Sequence, residues 1–212
     1  MKYLITGAGN GLGQALATEA EAQGHSVLAL SRQHWDVRDP SYFVDEGFDR
    51  IIVNAAVKDD STAMETDPNI VLDVLDVNAV GALRTVQTVR NCMNPGCKII
   101  MLSSQMGSSA LTGAITLHGR YGDHHIPPTY SIGYRMSKAA LNKLAQCLAL
   151  DLKPSNIGVW ALDPGWPQTK MGGQFAPTPV LECAKSVIAT IESLDIEETG
   201  QFVDWNGNLL EW

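Results

Sequence analysis

Basic residues are scarce in this sequence, which has 15 Lys and Arg against 23 Asp and Glu and a formal net charge of -8. Such an acidic chain argues against non-specific binding to nucleic acid or to an anionic membrane surface. No apolar run approaches the roughly 18 residues that a membrane-spanning helix needs. The short segment before the first glycine turn carries one charged side chain, which predicts no signal peptide. We therefore expect a cytoplasmic protein with neither a nucleic acid nor a membrane partner.

Cysteine is also sparse, and its spacing excludes the common metal and redox motifs. The four cysteines form no CxxC pair and are expected to be reduced thiols; they are Cys92, Cys97, Cys147 and Cys183. His118, His124 and His125 invite a metal interpretation, but two of them are adjacent and none has a cysteine partner. We interpret them as solvated histidines and predict no metal site.

Apolar runs alternate with stretches of helical periodicity along the whole chain. Strands are predicted at 2–6, 26–30, 50–53, 98–102, 157–162 and 201–203, and helices at 12–23, 67–93, 133–152 and 180–193. The strands lack polar alternation, which is typical of a parallel sheet covered by helices on both faces. The fold class is therefore α/β, a Rossmann-type doubly wound parallel sheet in a single domain at 1–212.

Two segments interrupt this alternation. The stretch between the second and third predicted strands is too short for a crossover with its helix. We therefore expect a shortened or missing third edge strand and crossover helix. The second interruption is 107–132, which is polar and rich in glycine and reads as an inserted loop.

A glycine-rich turn follows the first predicted strand and leads directly into a predicted helix. Glycine accepts positive φ and lets the backbone approach a ligand closely. The free N–H groups and partial positive charge of a helix N-terminus suit a pyrophosphate. The other interpretation is a tight turn that binds no ligand. We predict dinucleotide contacts at Gly7, Gly9, Asn10, Gly11, Leu12 and Gly13.

The end of the second predicted strand indicates which dinucleotide would bind. An acidic residue there would hydrogen-bond the adenosine ribose of NAD, whereas this chain has Ser31 and Arg32. A hydroxyl and a guanidinium suit the 2′-phosphate of NADP. We expect NADP(H) to be preferred, with NAD(H) as the alternative if Arg32 is only a solvated surface residue.

Tyr134 and Lys138 stand four residues apart at the start of a predicted helix, a spacing that puts both on one face. A phenol with a pKa near 10 is a poor acid or base at neutral pH, and a neighbouring ammonium lowers that pKa. Ser104 and Asn54 follow two predicted strands, at the sheet edge where ligands bind in open α/β sheets. Asn78 lies within a predicted helix, and taken alone it would be a solvent-facing residue.

With these residues in place, the chain resembles the short-chain dehydrogenase/reductase family, in the branch that contains C-factor and carbonyl reductases. The resemblance covers nearly the whole chain and its motifs occur in the family's order. They are TGxxxGxG at 6–13, Asp36-Val37, the turn at Asn54, the helix residue Asn78, SSxxG at 103–107, YxxxK at 134–138 and Pro164-Gly165.

The resemblance implies roles for four catalytic residues. Tyr134 would protonate the carbonyl oxygen as hydride arrives from the nicotinamide, and Lys138 would lower its pKa and bind the nicotinamide ribose. Ser104 would hydrogen-bond the substrate oxygen. Asn78 would hold a water that links Lys138 to solvent.

The resemblance also implies cofactor contacts beyond the glycine turn. Asp36 would contact the adenine, Asn54 would support the turn beside it, and Thr169 would reach the nicotinamide carboxamide. Tyr134 and Lys138 would touch the cofactor too, and the remaining expected contacts are Val37, Ala55, Ala56, Pro164 and Gly165. Ala56 departs from the family's usual glycine, and its methyl group would crowd the adenine ribose.

These expectations together describe an NADP(H)-dependent oxidoreductase acting on a small or medium carbonyl or alcohol. The segment 164–176 would be a substrate lid, with Gly172 and Gly173 as hinges. The alternative is a dinucleotide-binding regulatory or signalling protein of the same fold without turnover. A nucleotide-sugar epimerase would need a substrate domain that the chain after 152 has no room for. Homodimer, homotetramer and monomer are all compatible with the sequence.

Overall fold

Six parallel strands form the central sheet of the computed structural model, which describes residues 1–110, 115–117, 124–126, 130–173 and 175–212. The strands are β1 Lys2–Thr6, β2 Ser26–Leu30, β3 Phe48–Val53, β4 Met93–Leu102, β7 Gly158–Asp163 and β8 Phe202–Asp204. Their spatial order is β2-β1-β3-β4-β7-β8, and every neighbouring pair is parallel. The predicted doubly wound α/β architecture is confirmed.

The two faces of the sheet bury alternate residues of each strand. Ile5 and Ile52 pack on one face with α1 Gly11–Ala22 and α5 Val180–Ser193. Leu4, which precedes Ile5 on β1, packs on the opposite face. Since both faces are covered, the strands are apolar throughout, as the sequence pattern predicts.

Two helices cover the second face, α3 Gly81–Val89 and α4 Ile132–Leu152, and α2 Pro68–Leu75 packs on α4. The sequence predicts one continuous helix over 67–93, but a π-helical turn at Asp76–Val80 separates α2 from α3. A 3-10 turn at Arg90–Cys92 then ends the helical stretch, and β4 begins at Met93 instead of the predicted 98.

The sheet ends at β2, and residues 31–47 contain turns without a helix or a strand. The predicted absence of a third edge strand and its crossover helix is confirmed. The indole ring of Trp35 is buried and stacks on Tyr42 with 4.6 Å between ring centroids. This aromatic pair covers the apolar sheet face where a crossover helix would otherwise pack.

The predicted insertion at 107–132 is described only in part. Its described residues include an antiparallel pair of short strands, β5 Ile115–Leu117 and β6 His124–Ile126. The inserted loop at 107–132 stays a prediction, and these six residues within it form paired strands. His118 lies outside the described residues.

The chain leaves β1 toward α1 on one face and leaves β3 toward α2 on the other. This reversal opens a crevice at the carboxyl ends of the two strands, where doubly wound sheets bind their ligands.

In the described part of the chain, no helix combines the length and the apolar composition needed to cross a membrane.

Candidate active site

A cleft of about 1630 Å³ runs along the carboxyl edge of the sheet. Every residue predicted to bind the cofactor lines it, together with Ser104, Tyr134 and Lys138. Of the four predicted catalytic residues, Asn78 alone does not line the cleft, whereas its neighbour Val77 does. The volume exceeds the roughly 300–1,000 Å³ of an ordinary small-molecule pocket, so the cleft has room for a dinucleotide and a second molecule.

The glycine turn fits a pyrophosphate in its backbone conformation and its packing. Gly11, the first residue of α1, has a φ of +56°, which disfavours any other residue. A Cβ at Gly13 would lie 2.4 Å from the Asn54 side-chain nitrogen, so glycine is also required for packing. Asn10 makes no side-chain capping bond, so it leaves the first N–H groups of α1 to other acceptors.

Asn54 fastens the end of β3 to the glycine turn. Its side-chain nitrogen donates to the carbonyl oxygens of Thr6 at 2.9 Å and Gly7 at 3.1 Å. The Thr6 hydroxyl accepts from the backbone nitrogens of Asn54 and Ala55. These bonds give Asn54 a supporting position beside the turn.

At the far end of the cleft, two arginines surround the carboxylate of Asp36. Arg38 donates to it from Nε at 3.0 Å and from an η nitrogen at 2.7 Å, and Arg32 donates from Nε at 3.2 Å. The hydrogen bonds from Arg38 hold the pKa of Asp36 far below its usual range. The Arg32 side chain is 74% exposed, so its guanidinium remains accessible to a ligand.

His34 stands beside these arginines and contacts Ser31. The backbone nitrogen of Ser31 donates to His34 Nδ1 at 3.2 Å, and the Ser31 hydroxyl lies 2.9 Å from the same atom. Both residues line the cleft. This end of the cleft therefore contains a hydroxyl, an imidazole and two guanidinium groups around one carboxylate, whose charge the guanidinium groups neutralise.

Lys138 is buried and lies close to Tyr134. Its Nζ donates to the carbonyl oxygen of Leu102 at 2.6 Å and stands 5.3 Å from the centroid of the Tyr134 ring. The Ser104 side chain lies beside the Tyr134 hydroxyl and acts to lower its pKa. The structure thus brings together the three groups that the sequence predicts to act on a carbonyl.

The predicted lowering of the Tyr134 pKa is wrong for this structure. Burial raises that pKa well above 10, the negative charge of Asp163 raises it further, and the Ser104 side chain opposes both. Burial also lowers the pKa of Lys138 to about 8, against the influence of Asp163. The expectation fails because desolvation of the phenolate and the negative charge of Asp163 both raise the pKa.

Asp163 is a third ionisable group of the site, and it is not among the residues predicted from the sequence. It ends β7, is 4% exposed and lines the cleft. Gln105 Nε2 donates to its carboxylate at 2.8 Å, and the Gly165 nitrogen donates at 3.3 Å. Burial nevertheless raises its pKa to about 6. An acidic residue directly before Pro164-Gly165 at a predicted strand end was the available signal.

Asn78 lies in the π-helical turn and is 2% exposed, so the solvent-facing interpretation is wrong. Its Oδ1 accepts from the Val57 nitrogen, and its Nδ2 donates to the Val57 oxygen, both at 2.8 Å. Nδ2 also lies 2.9 Å from the hydroxyl of Ser137 in α4. π-helical turns often occur at functional sites.

Gly107, which follows the Ser103-Ser104 pair, stands at a position without room for a side chain. A Cβ there would lie 2.5 Å from the carbonyl carbon of Lys138 and 2.7 Å from its Cβ. The missing side chain allows α4 to approach the loop after β4. This close approach places Lys138 and Tyr134 beside Ser104.

Hydrogen bonds connect described residues within the predicted lid at 164–176. The Thr169 hydroxyl accepts from the Gly172 nitrogen at 3.0 Å, and Trp166 Nε1 donates to the Gly172 oxygen at 2.7 Å. A Cβ on Gly11 would stand 3.5 Å from the Thr169 side chain, so this segment crosses the glycine turn. Residue 174 lies outside the described residues.

Within the described ranges, no three His, Cys, Asp or Glu residues form a group that could hold a metal ion. The four cysteines are free thiols.

Two family models match the chain. One, described as RmlD substrate binding domain, matches residues 1–106, and one described as enoyl-(acyl carrier protein) reductase matches residues 110–205. The C-signal protein of Myxococcus xanthus is 33% identical over 138 residues, which are 64% of this chain and 75% of that protein.

Solved structures of carbonyl reductases share the fold over the full length of the chain. A carbonyl reductase from Pseudomonas aeruginosa PAO1 in complex with NADP is 26% identical, with a TM-score of 0.77 and coverage of 100% of this chain and 99% of its own. The carbonyl reductase Sniffer of D. melanogaster has a TM-score of 0.80 at 23% identity, with the same coverage. The second likeness concerns the fold alone.

Proposed function

The chain belongs to the short-chain dehydrogenase/reductase family, and from that premise we propose that it is an NADP(H)-dependent carbonyl reductase. It is an oxidoreductase of that family with a nicotinamide dinucleotide as its cofactor. The observation that carries the finer proposal is the convergence of Ser104, Tyr134 and Lys138 at the cleft wall.

The raised pKa of Tyr134 suits the direction of carbonyl reduction. A phenol with a pKa above 10 remains protonated at neutral pH and can donate its proton to a carbonyl oxygen. Lys138, with a pKa of about 8, is mostly an ammonium at pH 7 and supplies positive charge beside the forming phenolate. Ser104, beside the Tyr134 hydroxyl, would orient the same substrate oxygen.

Tyr134 would give the carbonyl oxygen its proton, and a nicotinamide bound in the cleft would supply the hydride for the carbonyl carbon. Tyr134 is then reprotonated from solvent through the groups behind it. We assign Lys138 to this relay, because its Nζ stands 5.3 Å from the centroid of the Tyr134 ring. The place of Asn78 in the relay rests on the family resemblance, since its side chain is bonded to Val57 and Ser137. In the reverse direction, the Tyr134 phenolate removes the proton of the alcohol.

NADP preference is supported by the charge at the adenosine end. Asp36 would repel a 2′-phosphate if it stood alone, but Arg38 and Arg32 both donate to its carboxylate. The group of three side chains carries one net positive charge, with Ser31 and His34 beside it. A guanidinium pair with a hydroxyl is a suitable phosphate site.

Substrate contacts would come from the segment predicted as lid and from the loop after β4. Met106, Trp166 and Met171 line the cleft on this side with mainly apolar surface. We propose that these three side chains border the substrate position. A small or medium carbonyl compound with an apolar body fits this wall.

Tyr134→Phe tests the proposed reaction. The purified protein is assayed for NADPH oxidation with activated aldehydes and ketones, and the variant is expected to lose nearly all turnover while binding NADPH normally. Turnover at the wild-type rate in Tyr134→Phe would overturn the role given to Tyr134. Binding of NADPH without reduction of any compound in a broad carbonyl panel would favour the regulatory alternative.

A further inference from the structure

The N-terminus of α4 is closed by a segment far away in the sequence. The Tyr134 nitrogen donates to Asp59 Oδ1 at 2.8 Å, and the Gly133 nitrogen donates to Asp59 Oδ2 at 3.3 Å. The nitrogen of Ile132 donates to the carbonyl oxygen of Ser61 at 3.4 Å. The first N–H groups of a helix have no acceptor within it, so residues 59–61 satisfy them from outside.

The residue at the local capping position does not serve this purpose. Ser131 has a φ of +55°, in the left-handed region, and its side chain makes no capping hydrogen bond. Its buried hydroxyl oxygen has no hydrogen-bond partner in the described part of the chain. Asp59 therefore takes the place of the usual N-cap side chain.

Close packing holds the carboxylate of Asp59 in place. The side chain is 7% exposed, and the hydroxyl of Ser61 donates to Oδ2 at 3.1 Å. A Cβ at Gly133 would lie 3.1 Å from Asp59 Oδ1, so glycine at this position permits the approach. Both carboxylate oxygens are thus directed at the backbone of α4.

The same loop is anchored at its other end by Asn78, through the two hydrogen bonds to Val57. Asn78 also contacts Ser137, one turn of α4 beyond Tyr134. The loop therefore joins the π-helical turn to the backbone nitrogen of Tyr134. A displacement of Asp59 would move the first turn of α4 and with it the Tyr134 hydroxyl.

We propose that Asp59 is a positioning residue for the reaction, and that it keeps the Tyr134 hydroxyl beside Ser104 by holding the Tyr134 backbone. This inference rests on the proposed function. Asp59 acts through the helix and touches neither substrate nor cofactor in this role. Its loss should therefore lower kcat and leave cofactor binding intact.

The experiment compares Asp59→Ala and Asp59→Asn with Asp67→Ala. Asp67 is a matched control, because its Oδ1 accepts from the Asn69 nitrogen at 2.9 Å and caps α2. We expect Asp59→Ala to lower kcat by roughly 10- to 100-fold, because small misplacements of a reacting group are costly. The Kd of NADPH, measured by fluorescence titration, should stay within about two-fold.

Asp59→Asn should have an intermediate kcat, because its amide oxygen can accept one of the two N–H groups. Asp67→Ala should retain the wild-type kcat. A wild-type kcat in Asp59→Ala, or an equal loss in Asp67→Ala, would overturn the inference. If the alanine variant does not fold, the asparagine variant decides, since an unchanged kcat contradicts the role.

Tyr134→Phe, measured in parallel, separates two kinds of failure. If it is inactive while Asp59→Ala is fully active, only the inference about Asp59 is wrong. If Tyr134→Phe turns over like the wild type, the proposed function itself is wrong.

Discussion

The side-chain amide of Gln105 donates a hydrogen bond of 2.8 Å to the carboxylate of Asp163. This bond joins the loop after β4 to the end of β7, directly beside Ser104. The Asp163 carboxylate is a buried negative charge that raises the pKa values of both Tyr134 and Lys138. The site thus contains a carboxylate that favours the protonated forms of both groups.

Asp163→Asn is expected to lower the pKa of Tyr134, because it removes a negative charge that disfavours the phenolate. Alcohol oxidation needs the phenolate, so its rate should rise at lower pH than in the wild type. The measurement is kcat/KM for NADP⁺-dependent oxidation between about pH 6 and 10. The control is Asp195→Asn, a capping residue outside the cleft, and superimposable profiles for Asp163→Asn and wild type would refute the effect.

The same substitution is expected to stabilise the fold at neutral and alkaline pH. Burial raises the Asp163 pKa from 3.8 to about 6, so the folded protein holds this proton more tightly than the unfolded chain. As pH rises from about 4 to about 6, the fold therefore loses at most about 3 kcal/mol, and this loss stays constant at higher pH. Urea unfolding should show a gain for Asp163→Asn that is large at pH 8 and vanishes near pH 4. A gain that does not vary with pH would contradict this origin.

Arg38→Ala is expected to weaken NADPH binding more than Arg32→Ala does. It removes one guanidinium and also exposes the negative charge of Asp36 to the 2′-phosphate. A charge-assisted hydrogen bond contributes roughly 1.5–3 kcal/mol, so the Kd should rise about 10-fold or more. NADH affinity should change little, and Arg90→Ala, an exposed arginine outside the cleft, is the control. Equal losses for both cofactors would argue against phosphate recognition.

Gly107→Ala is expected to separate the catalytic helix from the serine loop. The added methyl group would lie 2.5 Å from a backbone carbon of Lys138, so α4 must shift. Overpacking of this kind costs about 1–3 kcal/mol of stability, and the displaced Lys138 and Tyr134 should lower kcat roughly 100-fold. Thermal unfolding and steady-state kinetics measure the two effects, and an unchanged kcat would exclude the packing role.

Much of the fold could be predicted because apolar periodicity is strong in a sheet covered on both faces. The bounds of β2 and α5 agree with the predicted ranges. The absence of a third edge strand could be predicted because the stretch of chain between β2 and β3 is too short for a crossover. The π-helical turn could not be predicted, because one extra residue within a helix leaves the apolar pattern nearly intact.

The candidate site was predictable where residue types are distinctive and close in sequence, as with Tyr134 and Lys138. Asp59 and Asp163 were missed because their importance arises from packing between distant segments. The shift of the Tyr134 pKa was predicted in the wrong direction for the same reason. Desolvation depends on neighbours that only the folded chain supplies.

The π-helical turn at Asp76–Val80 holds one residue more than a regular α-helical turn. Deleting one residue there would leave ordinary α-helical winding and keep buried Ala82 and Val86 on the face that packs against the sheet. It would remove the wide turn that carries Asn78 and its contact with Ser137. We therefore expect homologues that are one residue shorter here to keep the fold and to differ in the surroundings of Asn78.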